Sequence, residues 1–211
     1  MSGSARPPWW LIVLGGVLLI VLIGIVASSL TRPTPPVYSI TQRAPNDAGD
    51  LLVSGRVTLD ARSADRWSFF DFSRDAPVQE PGPLEWDVAV RRTSWIVNGG
   101  DGFAGRGGAL TSDQNFDDLS VAPEGSYAAT TVSAGDSASA PFDRWYRYDF
   151  LSHLLWPQPT RFVIRTADGR YAKLEIESYY CPGPEPGCVS FRYTYQGDGS
   201  RALATRTDSL K

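Results

Sequence analysis

Few side chains in this chain can do chemistry, and their spacing limits what that chemistry is. The chain has one histidine, His153, in the run FLSHLLW, and one methionine, Met1. A lone imidazole serves as a base or as one axial ligand to a metal. As a base it would need a nucleophile placed against the ring, and Ser152, its neighbour in the chain, does not make such an arrangement. Gly135-Asp136-Ser137 offers a serine with protease-like neighbours, but the chain has no GxSxG elbow. Gly100 to Gly105, GDGFAG, has the GxGxxG spacing after a strand-like run. A dinucleotide site also needs a helix opening at the third glycine and an acid about 20 residues on, and RGGAL followed by an acidic irregular stretch provides neither. The segment therefore reads as a glycine-rich surface loop able to approach a ligand or a partner backbone. Asp113, Asp117 and Asp118 lack the spacing of a calcium loop and read as solvated acids. No catalytic residue and no metal site is assigned, and the chain is not read as an enzyme.

Cys181 and Cys188 enclose PGPEPG, a stretch that can only turn, between two strand-like runs. This pattern predicts a disulfide at the neck of a hairpin, which persists in an oxidising compartment. A metal site at the pair would require further ligands, and the neighbouring sequence has none.

The element that must position everything else is Trp9 to Leu30, WWLIVLGGVLLIVLIGIVASSL, 22 residues without a charge. At about 1.5 Å per residue it crosses a hydrocarbon core of about 30 Å, so a transmembrane helix is expected. Trp9 and Trp10 stand where an aromatic pair anchors a membrane interface, with Pro7 and Pro8 just outside. Ile25-Val26-Ala27 has the small-residue character of a signal cleavage site, but the apolar run exceeds the roughly 7 to 15 residues of a signal core, so an uncleaved anchor is expected. Gly16, Gly24 and Ser28 share one helix face with Ile20, a row of small residues that admits close approach of another helix. Arg6 and Arg32 flank the run and do not orient it by charge. The expected disulfide does: it places residues 1–8 in the cytoplasm and the bulk of the chain in the periplasm of a bacterium, the helix lying in the inner membrane.

Without Arg6 and Arg32, the chain has 23 acidic against 18 basic residues, a net charge of −5. That argues against nucleic acid and anionic lipid surfaces as principal partners. The 7 Trp, 9 Tyr and 9 Phe, many in alternating runs, with 20 Gly and 16 Pro between them, predict short strands joined by turns. The expected organisation is a cytoplasmic tail (1–8), a transmembrane helix (9–30), and a proline-rich linker and extended segment (31–50) lying on the domain or on a partner. A single antiparallel β domain (51–200) and a C-terminal tail (201–211) follow. LLVSGRVTLDA from Leu51 and RWSFFDFSR read as strands, residues 75–83 and 133–141 as loops, and residues 142–156 as a strand or a short helix. Residues 160–165, 171–180 and 189–196 read as a consecutive meander. The fold class is mainly β, preceded by one N-terminal transmembrane α-helix.

WDVAVRR followed by NGG (Trp86 to Gly100), then Tyr146 to Tyr148, RTADGRYAKLEIESYY (Arg165 to Tyr180) and FRYTYQ (Phe191 to Gln196), resemble the HmuY-like family of exported haem-binding proteins over roughly residues 50–197. The resemblance implies a single, mainly antiparallel β domain holding haem between extended loops by two axial side chains, usually histidine and in relatives methionine. Here the sequence departs from the family: His153 is the one imidazole, and Met1 is expected across the membrane, so a second ligand would have to be a tyrosine or come from another chain. His153 itself reads as a partly buried, hydrogen-bonded side chain, with axial ligation to haem as the alternative. Trp67, Phe69, Phe70, Trp86, Trp95, Trp145, Tyr146, Tyr148 and Trp156 exceed what a core of this size requires, so exposed members would mark a binding surface. The expected function is a non-enzymatic accessory subunit of a larger membrane complex. By analogy with other single-helix subunits, that complex is energy-transducing: a photosynthetic reaction centre with its antenna, or a respiratory enzyme. The partners are then the lipid bilayer and neighbouring subunits, and no cofactor is required. The alternative is a tethered haem-binding or haem-relay protein.

Overall fold

The computed structural model describes residues 8–30, 33–49, 51–133 and 136–204, with helix side chains described as far as Ala27. The chain divides into two units. One comprises Met1–Thr34 with Tyr148–Leu155, the other Pro35–Arg147 with Trp156–Lys211.

In the first unit the apolar run forms one helix, α1 (Trp9–Leu30), long and apolar enough to cross a membrane. It begins after Pro8, whose carbonyl accepts the Leu11 N–H at 2.9 Å, the place in a helix where proline's missing donor costs nothing. The helix is apolar all round, and its described side chains are exposed, as suits a lipid surround rather than a protein core. The unit's second part is the tip of a ribbon made by β9 (Tyr146–Asp149) and β10 (Leu154–Pro157).

The second unit is built from antiparallel sheets. Five strands run in the order β1 (Leu52–Asp60), β13 (Glu185–Gln196), β12 (Tyr171–Cys181), β11 (Arg161–Arg165), β6 (Gly108–Ser112). The meander expected from the last three strand-like runs is β11–β12–β13, paired in register from Arg161 with Glu175 and from Tyr171 with Gln196. A four-stranded sheet follows the order β3 (Ala76–Val78), β2 (Ser68–Asp71), β4 (Val88–Arg91), β5 (Ser94–Val97). β7 (Thr131–Ser133) and β8 (Asp136–Ala138) form a small hairpin, and a single 3-10 turn covers Ala140–Phe142. Residues 75–83 and 133–141, read as loops, thus contain β3 and β8. Each is three residues long, too short to leave a period in the sequence.

Alternation explains the interior. On β13, Phe191, Tyr193 and Tyr195 recur at every second position and turn to one face, where they meet Phe70 and Phe72 from the other sheet. Ring centroids lie 5.5 Å apart for Phe70–Phe191, 5.3 Å for Phe70–Tyr193 and 5.4 Å for Phe72–Tyr193. Phe142 stacks on Trp95 at 5.0 Å and on Phe162 at 4.3 Å, so β5, the 3-10 turn and β11 are joined by one aromatic column. Full burial of such a side chain contributes about 1.5–3 kcal/mol. This aromatic layer is the main cohesive element of the domain.

The segment after the anchor lies along the domain. Pro36 carbonyl accepts from Ser178 Oγ, Val37 bridges Tyr180, and the Thr41 N–H donates to Thr58 O at 2.9 Å. At the other end, Leu203 is buried with Leu119, Ala122 and Val163, and its N–H donates to Ser120 O at 2.7 Å.

Candidate functional site

Between β5 and the 3-10 turn lies a half-open cavity of about 160 Å³ lined by Thr93, Ser94, Trp95, Ala138, Ser139, Phe142, Asp143 and Tyr146. Trp95 Nε1 and Ser139 Oγ, both buried, have no hydrogen-bond partner. The Ser139 N–H donates to Trp95 O at 3.0 Å and Trp145 Nε1 donates to Thr93 O at 2.8 Å, so the backbone of the wall is fixed while two side-chain donors stay unused. The volume suits a few waters at about 30 Å³ each and falls below the ~300 Å³ at which clefts for cofactor-sized ligands begin.

The polar residues of WDVAV, NGG and YAKL are structural in this fold. Asp87, from WDVAV, is 5% exposed. Its Oδ2 accepts the Phe72 N–H at 2.9 Å and its Oδ1 the Ala167 N–H at 2.8 Å, so it ties two loops to the start of β4. Burial, with the charge of Asp71 adding to it, pushes its pKa up to about 8, against the opposing pull of the two N–H groups. Asn98, from NGG, donates from Nδ2 to Pro83 O and Trp86 O, each at 2.9 Å, and accepts the Gly105 N–H. The glycine spacing of GDGFAG follows from the same packing: a Cβ on Gly100, at φ +103°, would lie 2.2 Å from Thr130 O, and one on Gly105 would lie 2.3 Å from Asn98 O. Lys173, from YAKL, is 2% exposed and donates to Phe116 O at 2.7 Å and Leu119 O at 3.0 Å. Desolvation lowers its pKa.

His153 sits at the ribbon tip. It is exposed, not partly buried, and adopts φ +56° in the turn. The apolar neighbours that suggested burial are themselves half or fully exposed there. Its hydrogen bond is with Tyr148, Oη to Nδ1, at 2.5 Å. Asp149 Oδ1 accepts the Leu151 N–H at 2.9 Å and the Ser152 N–H at 3.3 Å, an Asx turn that closes the tip.

Cys181 and Cys188 are bonded, with Cα atoms 4.8 Å apart, and no free cysteine remains. The turn is tighter than PGPEPG suggests, because β13 already starts at Glu185, opposite Cys181. Trp9 and Trp10 open α1 and are exposed. A Cβ on Gly16 or Gly24 would meet nothing within 4 Å, and the side chain of Ser28 lies outside the described residues. Of the aromatic set, Phe70, Trp86, Trp95 and Trp145 are buried. Trp67, Phe69, Tyr146 and Trp156 are half-buried, and Tyr148 is exposed. Asp113, Asp117 and Asp118 gather no metal site, and among the described residues no group of three or more His, Cys, Asp or Glu could hold one. Asp136 pairs with Arg91 at 2.5 Å, which accounts for the acid in GDS.

The described residues thus comprise an antiparallel β domain with an aromatic interior and, N-terminal to it in the chain, a helix long and apolar enough to cross a membrane. The family described as HmuY protein matches residues 63–193, and the chain belongs to that family. Curated proteins give no match. Among solved structures, the chain is similar to a protein of Bacteroides vulgatus described as HmuY-like and haem-binding (TM-score 0.54, 21% identity, 68% of this chain and 92% of that one). It is also similar to the apo HmuY analogue of Tannerella forsythia (0.56, 16%, 71% and 99%). A third is a protein of Bacteroides fragilis described as a lipoprotein (0.54, 19%, 72% and 93%). These likenesses establish the fold.

Haem held by two axial side chains does not fit the residues present. His153 is the sole histidine, it is exposed, and it is engaged by Tyr148; the cavity beside Trp95 is too small for a macrocycle and offers it no imidazole or thioether.

Proposed function

We propose that this protein is a non-enzymatic, single-pass, membrane-anchored accessory subunit, in which the family's binding fold has become a docking module on a larger membrane assembly. In this reading α1 lies in the bacterial inner membrane, the amino terminus is cytoplasmic and the β domain periplasmic. The observation that carries it is a complete HmuY fold without the family's axial pair. The Cys181–Cys188 bond supports the exported placement, since such a bond persists in an oxidising compartment. The anchor supports the docking role: a haem scavenger must travel to its source, whereas a spanning helix holds the domain at one bilayer. Energy-transducing complexes, photosynthetic or respiratory, are the assemblies this design suits by analogy. The test is mild-detergent purification of the full chain from its own membranes, followed by titration with haem. Partner chains in fixed stoichiometry and no six-coordinate low-spin spectrum are expected. A solitary protein that gives such a spectrum, lost in His153→Ala, would overturn the proposal.

A second reading, a tethered haem-binding or haem-relay protein, is favoured by the family and by the Tyr148–His153 hydrogen bond. Tyrosine is an established axial ligand of haem iron, and the hydrogen bond to His153 would orient the Tyr148 phenol. On that reading Tyr148→Phe abolishes the spectrum and His153→Ala weakens it.

A further inference from the structure

We infer that the tip of the β9–β10 ribbon is a second membrane contact, with Phe150 and Leu151 seated in the interfacial layer of a phospholipid bilayer. Four observations lead there. Residues Tyr148–Leu155 group with the α1 segment and not with the β domain. Phe150 is 77% exposed and Leu151 67% exposed, an adjacent pair of large apolar side chains at the end of a ribbon, where water is a costly neighbour. Tyr148, 48% exposed, stands just behind them with Arg147, the amphipathic and basic side chains that interfaces favour.

The fourth observation is that the backbone N–H groups of Leu151 and Ser152 and the Tyr148–His153 pair are hydrogen-bonded within the tip, the buried Ser152 Oγ alone among these residues having no partner. Asp149 caps the turn through the Leu151 and Ser152 N–H groups, and Tyr148 is bonded to His153. A turn whose N–H groups are bonded internally can enter a partly dehydrated layer, where unpaired backbone groups would forbid it. Covalent geometry keeps the contact within reach, because the four residues between Leu30 and Pro35 span at most about 18 Å. The occupant is lipid because the tip belongs to the same unit as a helix suited to lipid. The inference rests on the anchor and is independent of the docking reading.

The two native cysteines are bonded, so Phe150→Cys creates a single free thiol in the full chain. That thiol is labelled with an environment-sensitive fluorophore, and the protein is reconstituted into phosphatidylcholine–phosphatidylglycerol vesicles. Val132→Cys, on the exposed β7 hairpin, is the aqueous control. Resistance to alkaline carbonate extraction is read in parallel, so that failure of the anchor is seen separately. The expected result for position 150 is blue-shifted emission, quenching by lipids brominated high on the acyl chain, and iodide quenching several-fold weaker than at position 132. Equal iodide quenching at the two positions would overturn the inference. So would protection in native membranes that vanishes in pure-lipid vesicles, since it would assign the tip to a protein neighbour.

Discussion

Asp87 gives the sharpest stability test of the fold. Its carboxyl is the acceptor for two backbone N–H groups, on Phe72 and Ala167, that have no other partner in their loops. Asp87→Ala leaves both donors buried and unpaired, at about 1–3 kcal/mol each, so a loss of about 3 kcal/mol or more is expected from a domain whose total stability is of order 5–15 kcal/mol. Asp87→Asn keeps the volume and one acceptor but turns an NH2 toward the second N–H, and about 2 kcal/mol is expected. The pH dependence is a separate signature. Because the folded-state pKa is raised, to about 8, the native state holds a proton that the unfolded chain releases between about pH 4 and pH 8. The unfolded state binds fewer protons in that window, so stability is present in full below about pH 4 and falls as the pH rises toward 8. Asp60, Glu85 and Asp136, whose pKa values are lowered by Arg62, Arg74 and the Ser137 N–H, are ionised in both states above about pH 5 and do not mask the slope. Urea denaturation of the full chain in detergent, followed by tryptophan emission, reads this out. The wild type should be more stable near pH 5 than near pH 8, and Asp87→Asn should flatten the difference. A wild-type profile that rises with pH across this window, or an Asp87→Ala variant of unchanged stability, would refute the argument.

Lys173→Met removes the ammonium group that binds Phe116 O and Leu119 O, and a loss of about 2 kcal/mol by the same denaturation assay is expected, since both carbonyls lose their buried donor. Thiol titration of the unfolded chain without reductant should find none, and the Cys181→Ser, Cys188→Ser double variant should lose about 2 kcal/mol, a modest figure because the closed loop is short. Gly24→Leu should insert normally yet co-purify with fewer partner chains, because the added side chain keeps a neighbouring helix from approaching closely at that position. Unchanged recovery would leave the helix a tether and move docking to the β domain.

What was legible in the sequence was whatever repeats. The alternation of Phe191, Tyr193 and Tyr195 announces β13, because burial on one face leaves a period, and the unbroken apolar run announces α1 by its length. β3 and β8 leave no period, and the segment after the anchor adheres through backbone groups of Pro36 and Thr41 and through isolated side-chain contacts such as Arg43 with Asp75, none of them periodic. Asp87 and Lys173 look like surface residues in a string. They become interior ones only because distant backbone, at Ala167 for one and at Phe116 and Leu119 for the other, arrives to meet them. His153 is the reverse case: FLSHLLW has the composition of a core segment, yet a ribbon tip exposes it.

The same division bears on function. The aromatic sandwich, the Asp87 clasp and the disulfide depend on residues that preserve the HmuY fold whether or not a ligand is present, so fold kinship says nothing about the ligand. On the ribbon, Tyr148 and His153 engage each other and Phe150 and Leu151 are exposed. The haem question is therefore settled by spectroscopy of the Tyr148→Phe and His153→Ala variants and not by the shared core.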